Sequence, residues 1–469
     1  MAEVVIIGGG LTGQAAAMLL AADGHRVNVL ERDPAPPAAC AADAWDSWER
    51  RGVNQFRMLH YFLPRYREAL EAELPAVAPE LDADGALRIN PFDGMPVEMS
   101  GGVRSDDARF TVLTGRRPVV EAAVGRVTAR TPGVEVRRGV AVKGLLTGDD
   151  QANGVPHVVG VVTEDGDELR ADLVVDAGGR RSALPSLLAG VGACSPVEEV
   201  DDCGFVYYGR HFRSADGSVP PAFGPPLMPY DSVSILTLPA DNGTWGVGLV
   251  TRAGDAPLRP ARDPEVWTRV IASYPLVAHW IDAEPITGVD VMAKIEDRHR
   301  TFVIDGVPVA TGVASLGDSW ACTNPSVGRG ASIGMLHACE LRDTLRRVAP
   351  SEAREFATAW HDATTATVEP YFRDTLAFDR HRLAEIDAQI AGVPYETDDP
   401  AWLLGQALAN ATAKDPELLR GYLEIVSLLA RGVDVLSRPG VAERALQLGA
   451  EGEPLPGPTR AELLALVGG

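Results

Sequence analysis

The stretch EVVIIGGGLTGQAAAMLLAADGHRVNVLE, residues 3–31, decides the fold. The run from Val4 to Ile7 predicts a buried parallel strand, because β-branched residues dominate strands that are covered on both faces. An Ala- and Leu-rich stretch from Gln14 to about Ala22 predicts a helix, and Arg26 to Leu30 predicts a second strand. Strand, glycine turn, helix and strand in this order predict a β-α-β unit.

The turn of this unit has the spacing G-x-G-x-x-G at Gly8, Gly10 and Gly13. It follows a strand and opens a helix, and the carboxylate Glu31 ends the next strand, which is the context of a dinucleotide site. Glycine lets the backbone approach a pyrophosphate, the helix N-terminus offers free N–H groups to it, and Glu31 can accept bonds from ribose hydroxyls. The predicted nucleotide contacts are Gly8, Gly10, Leu11, Thr12, Gly13, Glu31 and Arg32. The motif alone does not choose between FAD and NAD.

A second site lies in ATGVASLGDSWACTNPSVGRGASIG, residues 310–334, where a predicted strand ends at Gly317-Asp318. Pro325 and the turn Gly328-Arg329-Gly330 precede another helix. This stretch resembles the Gly-Asp motif of the flavoprotein hydroxylases of the p-hydroxybenzoate hydroxylase type. The resemblance implies that Asp318 binds a ribitol hydroxyl and that the turn faces the flavin pyrimidine edge. A helix N-terminus suits that edge, because reduced flavin carries negative charge there. The FAD contacts implied here are Gly317, Asp318, Pro325, Gly328, Arg329 and Gly330.

Two further stretches resemble the same family. DLVVDAGGRRS, residues 172–182, is similar to its Asp-Gly fingerprint in a variant form and implies a cofactor contact at Asp176. TGRRPVVE, residues 114–121, is similar to a Ser-Arg-Pro-Leu-Leu-Glu stretch, which implies that Arg117 reaches the FAD. This stretch and FLPR, residues 62–65, also resemble the branch that includes bacterial polyether epoxidases.

The resemblance implies an α/β fold. A Rossmann-like FAD-binding domain of the glutathione-reductase type is interleaved with a mixed β-sheet substrate domain, and an α-helical region follows at the C-terminus. The FAD-binding domain is expected in residues 1–195, with an inserted substrate-side segment at about 91–104, and again in residues 296–349. The substrate domain is expected in residues 196–295 and the helical domain in residues 350–469. The helical domain is expected to form a dimer contact or a lid, with substrate capping as the alternative.

The implied activity is that of an FAD-dependent monooxygenase. Such an enzyme transfers one oxygen atom of dioxygen from a C4a-(hydro)peroxyflavin to a small organic substrate, by hydroxylation or epoxidation. The cofactor carries this chemistry, so the sequence assigns no catalytic side chain and no metal ligand. The FAD is expected to be non-covalent, with electrons from NAD(P)H or from a separate flavin reductase. Candidate substrate contacts are Tyr207, on a predicted sheet strand, and Trp320, next to the Gly-Asp turn.

Three other functions stay open at this stage. One is reduction or dehydrogenation of a C=C bond, and another is flavin-dependent halogenation. The W-x-W-x-I-P segment of the halogenases is absent, and the nearest stretch is GTWG, residues 243–246. The third is a flavin-binding sensor without turnover.

Composition narrows the classes of partner. The 469 residues carry 43 basic and 65 acidic side chains, a formal net charge of -22, which disfavours nucleic acid and anionic membranes as partners. No apolar run is long enough to span a bilayer. The five cysteines form no C-x-x-C pair, which favours free thiols in a reducing compartment, and we expect a cytoplasmic protein. A homodimer is a further expectation.

Overall fold

The computed structural model describes residues 1–53, 55–148, 154–325 and 327–468. Its strands, β1 to β21 in chain order, are Glu3–Ile7, Arg26–Glu31, Leu87–Ile89, Val112–Thr114, Val134–Arg138, Val142–Thr147, Val158–Thr163, Glu168–Arg170, Leu173–Asp176, Val197–Asp202, Phe205–Arg213, Leu227–Pro229, Val233–Pro239, Thr244–Arg252, Glu284–Pro285, Asp290–Met292, Glu296–Thr301, Val303–Ile304, Val307–Pro308, Val313–Ser315 and Ala321–Cys322.

The α-helices of the same residues, α1 to α16 in chain order, are Leu11–Ala22, Ala41–Asp46, Pro64–Glu73, Val77–Ala83, Val97–Ser100, Arg117–Arg130, Leu184–Gly190, Pro264–Ile271, Gly330–Arg347, Ala353–Thr367, Glu369–Ala391, Pro400–Ala411, Pro416–Val426, Gly432–Leu436, Val441–Gly449 and Arg460–Gly468. None of these helices is both long enough and apolar enough to cross a membrane.

A parallel sheet of order β20-β9-β1-β2-β5 forms the centre of the cofactor half. Its strands come from distant parts of the chain, and β1 pairs with β9 on one side and β2 on the other. The strand order therefore reverses direction at β1. Open parallel sheets bind ligands at the carboxyl ends of the strands where such a reversal occurs. The predicted interleaved α/β fold is confirmed.

The second large sheet is antiparallel. Its strand order is β12-β13-β14-β11-β15, and β16 also pairs with β11. One face packs on a core that includes Trp267, Tyr274 and Trp280. The other face carries Phe205, Tyr207 and Leu236. Side chains alternate between the two faces of a strand, so this sheet separates an aromatic core from a second apolar surface.

Arginine–aspartate pairs connect the C-terminal helices α10 to α16 to both halves of the molecule. Arg420 of α13 donates to both carboxylate oxygens of Asp107, at 2.8 and 2.7 Å, and both side chains are almost completely buried. Arg460 at the start of α16 donates to both carboxylate oxygens of Asp255 at 2.6 and 2.7 Å. A bidentate pair restricts the relative orientation of its two side chains as well as stabilising their contact. The two pairs therefore hold the helical region in one orientation.

The Arg420–Asp107 pair gives a stability prediction. Replacing Arg420→Met leaves the Asp107 carboxylate buried without its partner, so we expect the free energy of unfolding at neutral pH to fall by about 3 kcal/mol in urea denaturation. Arg104→Gln is the matched control, because Arg104 and its partner Glu417 are both exposed, and it should change the stability little.

The fall in the free energy of unfolding caused by Arg420→Met should depend on pH, because the pKa of Asp107 is shifted in the folded protein. Burial raises the pKa of Asp107, but its hydrogen bonds from Arg420 and from the Arg104 backbone outweigh burial and lower it below its ordinary value of 3.8. The pair therefore contributes stability above that pH and loses it as the pH falls through the folded pKa. The deficit of the Arg420→Met protein should shrink in acid. A deficit that stays constant as the pH falls through the folded pKa of Asp107 would contradict the assignment.

Candidate functional site

A cavity of about 2760 Å³ lies at the carboxyl ends of the parallel strands and extends between the antiparallel sheet and the C-terminal helices. This is larger than the roughly 300–1,000 Å³ of ordinary small-ligand pockets. All predicted cofactor residues line it, namely Gly8, Gly10, Leu11, Thr12, Gly13, Glu31, Arg32, Arg117, Asp176, Gly317, Asp318, Pro325, Gly328, Arg329 and Gly330. Segments from near the start of the chain and from beyond residue 310 therefore meet around one space.

The glycines of the first turn have different physical roles. Gly8 has φ +106°, and a Cβ there would lie 2.4 Å from the Ala177 carbonyl oxygen. A Cβ on Gly13 would lie 2.1 Å from the carbonyl oxygen of Gly8, so the helix can approach the strand only without a side chain. A Cβ on Gly10 would meet nothing within 4 Å. Since Gly10 caps α1 without a side-chain hydrogen bond, the first N–H groups of the helix are free to bind an anion.

Glu31 is buried at the end of β2 and is held by several donors. Its Oε2 accepts from the Gly9 N–H at 2.9 Å and its Oε1 from the Asp33 N–H at 2.9 Å. The Arg50 guanidinium donates to Glu31 at 2.5 Å, to Asp33 at 3.1 Å and to Glu121 at 2.9 Å. Burial lowers the pKa of Arg50, and these three carboxylates reverse the shift and raise it. Sequence reasoning missed Arg50, because no local motif marks an arginine whose carboxylate partners lie on two other segments of the chain.

The Gly-Asp turn lines the same cavity beside the start of α1, since a Cβ on Gly317 would lie 3.1 Å from Thr12 Cγ2. Gly317 has φ +63°, and burial raises the pKa of the Asp318 carboxyl against the opposing charges of Arg180 and Arg117. Gly328 has φ +67°, and α9 begins at Gly330 without a side-chain cap. The α9 N-terminus thus also offers free N–H groups to the cavity.

Arg117 and Asp176 both line the cavity and are also bonded within the protein. Arg117 Nε donates to Glu121 at 2.6 Å, and its Nη1 lies 2.9 Å from His60 Nε2. Burial, and then the Arg117 charge, lower the pKa of His60 to about 3, so the ring is neutral and accepts this bond. Asp176 accepts from the Gly178 N–H at 3.0 Å and from the Ser182 hydroxyl. Its carboxylate therefore also shapes the turn that follows β9.

Tyr207 lies on the apolar face of the antiparallel sheet and lines the cavity. Its hydroxyl donates to Asn324 Oδ1, and Asn324 Nδ2 donates to Asp379 Oδ1 of α11 at 3.0 Å. The Asn324 N–H donates to Asp297 at 2.6 Å, and burial raises the pKa of Asp297 to about 6. This chain of bonds connects the sheet, the loop after Asp318 and the C-terminal helices.

Trp320 does not line this cavity, contrary to the expectation of a substrate contact. Its ring packs with Leu63, Ile333 and Val368, and it lies between the His299 and His337 rings, at 4.9 and 5.0 Å. The tight turn Gly317–Ser319 directs the next side chain toward α9 and α10 and away from the cavity. Trp320 therefore contributes to the core beneath the loop.

The comparisons with known proteins agree with this geometry. Residues 3–89 match the family model of the FAD dependent oxidoreductases. Protein Rv3254 of Mycobacterium tuberculosis is 27% identical over 450 residues, which is 91% of this chain and 90% of that protein. The kynurenine 3-monooxygenase of Salinispora arenicola is 30% identical over 183 residues, 38% of this chain and 36% of the enzyme.

Solved structures share the fold at low identity. PqsL of Pseudomonas aeruginosa, a probable FAD-dependent monooxygenase, has a TM-score of 0.59 at 17% identity and covers 83% of this chain and 98% of its own. The aromatic hydroxylase CabE has a TM-score of 0.56 at 19% identity, covering 91% and 76%. The flavin-dependent brominase Bmp2 has a TM-score of 0.56 at 16% identity, covering 100% and 98%. The protein is an FAD-dependent oxidoreductase. Its fold is that of the FAD-dependent monooxygenases, as the sequence resemblance predicted.

The residues present fit FAD, because two free helix N-termini and a side-chain-free approach at Gly10 converge on one cavity. We expect Gly10→Ala to keep the folded state, since its Cβ meets open space, and to weaken FAD binding at least tenfold by obstructing the pyrophosphate. Flavin absorbance after dialysis and a thermal melt of the apoprotein measure the two effects separately.

Two other glycines control for this variant. Gly190→Ala also adds a Cβ with no atom within 4 Å, but outside the cavity, so it should retain FAD. Gly13→Ala adds a clashing Cβ and should lower the melting temperature itself. Equal FAD retention by the Gly10→Ala and Gly190→Ala proteins would refute the phosphate position.

Proposed function

We propose that this oxidoreductase is a monooxygenase that inserts one oxygen atom of dioxygen into a small organic substrate, by hydroxylation or epoxidation. The observation that carries the proposal is the continuity of the cavity. The polar end, between the starts of α1 and α9, opens into a chamber with an apolar wall. A bound flavin would supply dioxygen activation and electron transfer. The chamber would hold the substrate beside it and exclude water.

We assign the polar end to the cofactor. The N–H groups at the start of α1 would bind the pyrophosphate, Glu31 the adenosine ribose, and Asp318 a ribitol hydroxyl. The α9 N-terminus would stabilise negative charge on the reduced flavin ring. Arg117, Asp176 and Pro325, with the backbone of the turn at Gly328 and Arg329, would complete the contacts around the ring and the ribitol.

The apolar end is assigned to the substrate. The sheet supplies one wall, with Phe205, Tyr207, Leu236, Leu238 and Val250, and the C-terminal helices supply the other, with Phe372, Phe378, Trp402 and Tyr422. Tyr207 is the candidate polar contact on the sheet side. Under this assignment residues 350–469 cap the substrate, and the segment around residues 91–104 closes the side next to α13, where Phe92 packs on Leu419.

The proposal is tested with the purified flavin-loaded protein and a panel of phenols and polycyclic aromatics. Oxidation of NADH or NADPH, or of dithionite-reduced enzyme if neither reacts, is followed with and without each compound under labelled dioxygen. Oxygen incorporation into a product supports the monooxygenase and identifies the electron source. Reduction of a C=C bond under anaerobic conditions, or a reduced flavin that dioxygen does not reoxidise, would refute the proposal.

Halogenation is the second candidate. It is favoured by the brominase Bmp2 because that fold match extends over 100% of this chain, whereas the PqsL match covers 83%. The same assay is therefore repeated with added bromide or chloride. A halogenated product in place of an oxygenated one assigns the chain to this class.

The capping role of the C-terminal helices gives a further prediction. Trp402→Ala enlarges the chamber on its α12 side, so for any substrate found above we expect KM to rise severalfold and more of the dioxygen to be released as hydrogen peroxide. Leu403→Ala is the matched control, since Leu403 is the next residue of α12 and is 49% exposed outside the cavity. Equal effects of both substitutions, measured by steady-state kinetics and peroxide assay, would exclude a capping role for Trp402.

A further inference from the structure

Arg329 is a charged residue of the cavity whose side chain has no role in the proposed cofactor contacts. Its backbone belongs to the turn between Gly328 and α9, and its side chain reaches α11 of the C-terminal region, where Nη1 donates to Thr375 Oγ1 at 3.0 Å. It lines the cavity. Among the described residues, no carboxylate lies within 4.0 Å of its guanidinium.

A guanidinium in this environment lacks its usual partner. Burial lowers the pKa of Arg329, and the carboxylates of Asp374 and Asp379 oppose this only from a distance. Both carboxylates have other contacts, Asp374 with Arg431 at 3.4 Å and Asp379 with Asn324 at 3.0 Å. Arg329 is part-buried beside the cavity, and beyond the bond to Thr375 its guanidinium keeps further donors for a ligand there.

The surroundings of Arg329 belong to the chamber assigned to the substrate. Tyr422 and Phe372 line the same cavity as Arg329. A ligand in this place meets one positive charge within a largely apolar wall. The arrangement suits an apolar molecule that carries one acidic group.

We propose that Arg329 binds an anionic oxygen of the organic substrate, a carboxylate or a phenolate, and so selects acidic substrates over neutral ones of the same shape. The inference rests on the proposed function, because it uses the substrate end of the same cavity. The planar guanidinium can donate two parallel hydrogen bonds to a carboxylate, which adds orientation to affinity. Selection by this one charge would act against the net charge of -22 of the chain, which disfavours anions at long range.

The test is equilibrium binding of naphthoate and naphthamide to the oxidised, FAD-loaded enzyme by titration calorimetry. The two probes have the same ring system and differ in charge. We expect naphthoate to bind at least tenfold more tightly, and we expect Arg329→Gln to remove this preference while naphthamide binding stays the same. Wild-type enzyme that binds naphthoate no better than naphthamide would overturn the proposal. Binding needs no turnover, so the result is independent of whether the enzyme inserts oxygen.

Two further measurements test whether Arg329 contacts the substrate specifically. Arg431→Gln removes a guanidinium that contacts the same Asp374 but does not line the cavity, and it should keep the naphthoate preference. A loss equal to that of Arg329→Gln would show a general charge effect and refute a specific contact. The reduction potential of the flavin is measured in the Arg329→Gln protein as well. A lowered potential with an unchanged naphthoate preference would assign the charge to the reduced flavin and overturn the substrate contact.

Discussion

The close approach of α1 and α9 is the constraint on which the site depends. A Cβ on Gly334 would lie 2.4 Å from Thr12 Oγ1, and one on Gly317 would lie 3.1 Å from Thr12 Cγ2. Only glycine at these positions lets the two helices and the Gly-Asp turn meet. Because both helices begin at the same edge of the sheet, their free N–H groups face one space, which is the requirement for binding an extended anionic cofactor.

Charge in the cofactor half is balanced by arginines rather than lysines. Arg50 holds three carboxylates behind the first turn, and Arg117 holds one of them, Glu121, from the other side. A planar guanidinium can satisfy several acceptors at fixed angles, so such a group stays ordered where an ammonium would leave donors unused. These contacts orient Glu31 and the Arg117 side chain before any ligand arrives, and a pre-organised site loses less entropy on binding.

The C-terminal helices convert an open sheet surface into a chamber. Arg420 connects them to the cofactor half and Arg460 to the half that contains the antiparallel sheet, and Leu463 and Val467 of α16 enter the aromatic core of that sheet. The outer wall of the chamber is therefore part of the folded core and not a loosely attached addition. This explains how the region can form part of the cavity wall while lying far from the nucleotide turn in sequence.

The sequence by itself determined the parallel sheet and the two glycine turns, because β-branched runs and steric demands for glycine act over a few neighbouring residues. It also identified many of the residues that line the polar end of the cavity, though not Arg50. Only the tertiary structure decided the partners of Arg50, the contact between Tyr207 and Asn324 across 117 residues, and the burial of Trp320 away from the cavity. Those outcomes depend on how distant segments pack, and no local pattern records the direction in which a side chain points after a tight turn.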